Sequence, residues 1–351
     1  MVEYLSGGRI QGTSTLPSAP PQTSWKELGR TTLSSAGDTI AVSSFAAKDN
    51  LMILLHKINT GGGVNPTVTF NSDGGSNYAR RYSANGGSDT TNVNQTKLEC
   101  TYTGATPTSY VVTPIINKSG KEKLLNFYDC EEGTAGAGNA PNRMEVVAKW
   151  ANTSAQITSV SFGNDDSGDY AIGSEVVVLG YDNDEADSGT NFWQELASVE
   201  LTSAGDVLDT GTFTAKKYLM MQWQTSPTGG TTDDIKCHFN ADSDSSYALK
   251  RQNDGASGEA FTSTANFRID AGGGAFERDG HAYIINKSDK EKLVIAEDVV
   301  SNTAGAGNAP RRFETFGKWA NTSDQITRIQ LTNQGTGDFK SGSYLKVWGS
   351  D

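Results

Sequence analysis

The stretch NTAGAGNAPRR, residues 302–312, restates GTAGAGNAPNR, residues 133–143, and both contain the octapeptide TAGAGNAP. Taken alone, its glycines, small residues and trailing arginines look like a phosphate-binding loop. A Walker loop needs a lysine and a Ser or Thr after its glycines, because the ammonium reaches the phosphates. A dinucleotide loop needs a third glycine where Pro141 and Pro310 stand. Neither requirement is met. The pattern reads instead as a tight turn between strands, with Gly136, Gly138, Gly305 and Gly307 supplying left-handed backbone.

The repetition extends far beyond the loop. WKELGRTTLSSAGD (25–38) matches WQELASVELTSAGD (193–206), and FNSDGGSNYARR (70–81) matches FNADSDSSYALK (239–250). IINKSGKEKL (115–124) matches IINKSDKEKL (284–293), and KWANTSAQIT (149–158) matches KWANTSDQIT (318–327). The order is the same throughout, which identifies a tandem duplication of one domain. The expected organisation is an N-terminal arm (1–22), a first domain (23–182), an acidic linker NDEADSGT (183–190) and a second domain (191–351). Each repeat is long enough to bury a core of its own.

Within a repeat the local signals are strands. LMILLHKI (51–58), TVTF (67–70), YVVTPII (110–116) and EVVVLGY (175–181) are short and rich in β-branched or aromatic residues. KLECTY alternates Leu98, Cys100 and Tyr102, matched by Phe267 and Ile269. Clusters of Gly, Asn, Asp and Ser separate these runs, and no amphipathic helix is apparent. The expectation is an all-β chain of two tandem antiparallel β-sandwiches, with eight to ten strands each in a jelly roll.

Among 351 residues, 39 are glycine and 35% are apolar, which suits loop-rich β structure. The net charge of -12 repels phosphate backbones, so no nucleic-acid partner is expected. No run approaches the ~20 apolar residues of a membrane helix. The N-terminal MVEYLSGGRIQG lacks the charged and apolar regions of a secretory signal, so release without a signal peptide is expected. Cys100, Cys130 and Cys237 form no CxxC pair. Two of them align with valines in the other repeat (Cys237 with Val68, Cys130 with Val299), and they read as small core hydrophobes.

Catalytic signals are sparse. His56, His238 and His281 fall at unrelated positions in the two repeats and no GxSxG elbow appears, so no enzyme, cofactor or metal is expected. The acidic runs DNDEADSG (182–189), NDDSGD (164–169) and NADSDS (240–245) could offer hard oxygen ligands to calcium, but none fits the EF-hand pattern. NKS and NTS in both repeats have the form of glycosylation sequons. Trp150 and Trp319, within KWANTS, are either packing residues or sugar-stacking platforms.

WKELGRTTLSSAGDTIAVSSF, FNSDGGSNYARRYSANGG and KWANTSAQITSVSF resemble the jelly-roll structural proteins of phage virions: head-decoration or cement, fibre and capsid proteins. The resemblance spans both repeats and carries over no functional residue, because such proteins act through surfaces. It implies a non-enzymatic virion protein that forms or decorates a capsid, with itself (as a homo-oligomer, for instance a trimer of pseudo-sixfold symmetry) and other capsid proteins as partners. The arm, through Tyr4, Leu5, Ile10, Leu16, Pro20 and Pro21, is expected to be extended and available to tether a neighbour. The alternative is a tandem carbohydrate-binding or adhesion protein, with a surface glycan held by Trp150 and Trp319.

Overall fold

The structure, a computed structural model, describes residues 3–4, 10–11, 25–101, 108–182, 191–228, 234–269, 276–302 and 305–351. Every regular element among them is a β-strand. The first repeat contributes β3 (Lys26–Thr32), β4 (Thr39–Val42), β5 (Asn50–Ile58), β6 (Pro66–Phe70), β7 (Tyr78–Ala84) and β8 (Thr90–Gln95). It continues with β9 (Leu98–Glu99), β10 (Thr108–Ile116), β11 (Lys123–Glu131), β12 (Asn142–Trp150), β13 (Val160–Asn164) and β14 (Glu175–Tyr181). The second repeat matches it strand for strand: β15 (Gln194–Glu200), β16 (Val207–Asp209), β17 (Tyr218–Thr225), β18 (Ile235–Phe239), β19 (Tyr247–Asn253) and β20 (Glu259–Thr264). Then follow β21 (Phe267–Arg268), β22 (Arg278–Ile285), β23 (Lys292–Val300), β24 (Arg311–Trp319), β25 (Ile329–Asn333) and β26 (Tyr344–Ser350).

In the first repeat β3-β14-β5-β10 lie side by side in one sheet and β4-β13-β6-β9 make the other. Successive strands cross between the sheets in the nested order of a jelly roll. Two excursions lengthen the first sheet: β11 and β12 extend it beyond β10, and β7 and β8 close its far edge. The result is eight strands, β3-β14-β5-β10-β11-β12-β7-β8, facing four. The second repeat has the same orders, β15-β26-β17-β22-β23-β24-β19-β20 and β16-β25-β18-β21. Each repeat therefore has twelve strands among the described residues, more than the eight to ten expected. β8 (TTNVNQ) escapes a period-two reading because it is an edge strand exposed on both faces. The continuous apolar run of β5 has the opposite cause: it lies between β10 and β14 and is buried on both faces.

Each repeat closes its own core between its two sheets. In the first, Leu51, Ile53 and Leu55 of β5 meet Val68 and Phe70 of β6, Phe127 of β11 and Val146 of β12. In the second, Leu219, Met221 and Trp223 of β17 meet Cys237 and Phe239 of β18 and Ala296 of β23. Cys100 and Cys237 are core members and Cys130 is buried on the other face of its sheet; none of the three is in a disulfide.

The chain divides into two compact units: Met1–Gly133 with Asn142–Phe192, and Thr134–Pro141 with Trp193–Asp351. The first octapeptide thus groups with the second unit, which the sequence did not indicate. The linker at 183–190 lies outside the described residues. In the arm, β1 (Glu3–Tyr4) pairs antiparallel with β2 (Ile10–Gln11), Tyr4 opposite Ile10. Leu5, Leu16, Pro20 and Pro21 lie outside the described residues.

Candidate functional site

The residues most faithfully repeated between the two halves converge on one polar knot per unit. After β6 the chain reverses through Asn71 (φ 53°) and Ser72 (φ 55°), closed by the Asp73 N–H donating to the Phe70 carbonyl at 2.9 Å. Asn71 Oδ1 accepts the Thr158 and Ser159 N–H groups, at 2.9 and 3.1 Å. Asp73 Oδ2 accepts the Trp150 indole N–H at 2.7 Å. That bond, with the Gly75 N–H and the Asn77 amide, lowers the Asp73 pKa against the opposing effect of burial. Asn117, fully buried, accepts the Ile157 N–H at 2.7 Å and donates to the carbonyls of Lys48 (2.9 Å) and Ile157 (3.2 Å). Asn240, Asp242, Trp319 and Asn286 reproduce this in the second repeat.

Lys123 belongs to the same knot. Its ammonium donates to the carbonyls of Lys121 (2.6 Å) and Asn152 (3.0 Å) and sits 5.9 Å from the Trp150 ring centre. Lys292 does likewise with Lys290 and Asn321, each at 2.8 Å, 5.8 Å from Trp319. Burial lowers both lysine pKa values, that of Lys292 to about 8 although Asp324, Asp289 and Glu291 act against the shift. FNxD, INKS, KEKL and KWANTS are therefore repeated because they hold two sheets together.

This corrects the sugar-stacking reading. Trp150 and Trp319 are each 1% exposed, with their rings inside the core and their N–H groups on Asp73 and Asp242. Packing wins because a jelly roll must fill the space between its sheets, and the indole does so while its one donor finds a carboxylate. The Asn117 and Asn286 amides of the NKS triplets are likewise spent on backbone groups inside the units.

Among the described residues no three His, Cys, Asp or Glu side chains gather as metal ligands. In NDDSGD, Asn164 Oδ1 is taken by the N–H groups of Asn65 (2.8 Å) and Asp166 (3.0 Å), and Asp166 Oδ1 by that of Ser167 (2.7 Å). In NADSDS, Asp242 holds the indole and the Asp244 N–H. Most of DNDEADSG lies outside the described residues. Asp169 is hydrogen-bonded to Asp38 and Asp206 to Asp338, which raises the pKa of Asp169 and Asp206. His56 is buried, His238 half-buried, and His281 exposed at 3.5 Å from Glu297; the three share no cluster. The left-handed positions expected at the glycines of the repeated loop are occupied at Gly136 (φ 91°) and Gly305 (φ 99°), but Gly138 and Gly307 do not need them.

The exposed surface also differs between the repeats. On the face of the first unit's large sheet turned away from its core, Ile116 of β10, Leu124 of β11 and Val147 of β12 are 52%, 57% and 56% exposed. Ile116 and Leu124 are paired directly across the ladder, and Val147 stands two residues from Lys149, the partner of Leu124. Their counterparts Ile285, Leu293 and Phe316 are buried, at 1% exposure or less. Nothing in the sequence distinguishes these sets, since both are apolar on alternating strands.

No protein-family model and no curated protein matches the chain. Among solved structures, the chain is similar to domains LG4-5 of the mouse laminin alpha1 chain. Identity is 12%, covering 95% of this chain and 92% of that one, with a TM-score of 0.19.

Proposed function

We propose that this chain is a non-enzymatic structural protein that assembles with copies of itself and with other shell proteins into, or onto, a virion capsid. The observation that carries the reading is the apolar patch of Ile116, Leu124 and Val147 on a rigid three-strand platform. Contiguous apolar surface on the flat of a sheet is a protein–protein contact surface, because leaving it in water costs free energy that a partner recovers. Two jelly-roll units in tandem and the resemblance of their repeated phrases to phage virion proteins support the capsid setting. The net charge of -12 supports an outward-facing position, away from packaged nucleic acid. The carbohydrate-binding alternative loses its two residues, Trp150 and Trp319, to the core.

The test is the light-scattering mass of the purified full chain across a concentration series, beside Leu124→Asp. Assembly of the wild type that weakens in the variant supports the reading. A wild type that stays monomeric at every concentration overturns it.

A further inference from the structure

The octapeptide TAGAGNAP occurs twice and sits in two environments. Thr134–Pro141 belongs to the second compact unit and is seated there. The Gly136 N–H donates to Glu291 Oε1 at 2.5 Å, and the Thr134 carbonyl accepts the Lys318 ammonium at 2.6 Å. The Ala137 carbonyl accepts the Ser263 N–H at 2.7 Å. Glu291 and Lys318 are themselves an ion pair at 3.0 Å, with side chains 3% and 0% exposed. These residues form a filled socket.

The second copy has the same turn at residues 305–308 and lies on the surface. Gly305 (φ 99°) matches Gly136 (φ 91°), and the Asn308 N–H donates to the Gly305 carbonyl at 3.1 Å as Asn139 does to Gly136 at 3.2 Å. Every residue from 305 to 310 is exposed.

The socket is duplicated as well. Glu122 and Lys149, the counterparts of Glu291 and Lys318, form the same ion pair at 2.9 Å, but their side chains are 40% and 44% exposed. Asn94 (φ 53°) has the unusual backbone of its counterpart Ser263 (φ 50°), so its N–H is set in the same way. The exposed patch of Ile116, Leu124 and Val147 adjoins this open socket: Leu124 is two residues from Glu122 and directly opposite Lys149.

We propose that residues 305–310 of one chain seat in the Glu122–Lys149 socket of a second copy of this chain. The Gly305 N–H donates to the Glu122 carboxylate and the Asn94 N–H to the Ala306 carbonyl, as Gly136 and Ser263 do within the second unit. The loop already holds its docked conformation, which reduces the ordering cost of association. Seating it removes the Glu122–Lys149 pair from water and strengthens the charge-assisted hydrogen bond to the loop. Plug and socket are different surfaces, so the contact is heterologous. Each chain carries one of each and touches two neighbours, which generates a ring when the rotation closes.

The inference rests on the assembly reading, and the experiment separates the two. The full-length chain is compared with Glu122→Arg by light scattering. Independently, Asn94→Cys and Ala306→Cys chains are mixed under mild oxidation and run on a non-reducing gel. All three sites are on the surface, and the native cysteines are buried. A lower mass for Glu122→Arg, with a covalent dimer only when both cysteine chains are mixed, is the expected result. An assembled wild type with an unchanged Glu122→Arg mass and no covalent dimer sinks the plug-and-socket contact and leaves assembly standing. A monomeric wild type sinks both.

Discussion

Replacing Asn117 by alanine tests whether the repeated INKS phrase is structural. The substitution removes the acceptor of the Ile157 N–H (2.7 Å) and the donor to the carbonyls of Lys48 (2.9 Å) and Ile157 (3.2 Å). An orphaned buried N–H costs ~1–3 kcal/mol, and a carbonyl that keeps another lone pair costs less. The sum is ~3 kcal/mol, with little cavity term because few atoms are lost. For a unit of this size each kcal/mol moves the midpoint by ~2–4 °C, so unfolding of the first unit should fall by ~6–12 °C. Calorimetry on the full chain reads this against Asn126→Ala, an exposed position on β11 where the change should stay within ~0.5 kcal/mol. Asn286→Ala, with the same three bonds at 2.7, 2.9 and 3.1 Å, should lower the second unit by a similar amount. Equal midpoints for Asn117→Ala and Asn126→Ala would refute the reasoning.

Lys292 should titrate near pH 8 in a Cε chemical-shift experiment, well below a free lysine, because burial disfavours its charge. Between about pH 8 and the free value of ~10.4 the unfolded chain holds a proton that the folded chain has released, so stability rises with pH across that window. Below it both states are charged and the burial cost is present in full. A midpoint above 10 rejects the assignment, and Lys292→Met should abolish this part of the slope. Cys100, Cys130 and Cys237 should resist a thiol reagent in the native chain and react completely in denaturant. All three are buried, and burial raises the pKa of Cys100 and Cys237. Rapid labelling of any of them in the folded protein contradicts this.

Strands, duplication and the antiparallel jelly-roll class were legible in the sequence because they rest on local and repeated signals. EVVVLGY coincides with β14, and LMILLHKI with all but one residue of β5. The tertiary structure decided what each repeated phrase is for. Trp150 can be read as a core residue or as a platform until the second sheet is seen to close over it, and Asn117 as a turn residue or a sequon until its amide is found among backbone groups. It also decided the surface. TAGAGNAP is one string with two environments, seated at Thr134–Pro141 and open at 305–310, and Leu124 and Leu293 are one residue type with 57% and 0% exposure. A sequence encodes periodicity along the chain, whereas burial depends on which distant segment covers a face. Two identical stretches can therefore have different surroundings, and only the folded chain distinguishes them.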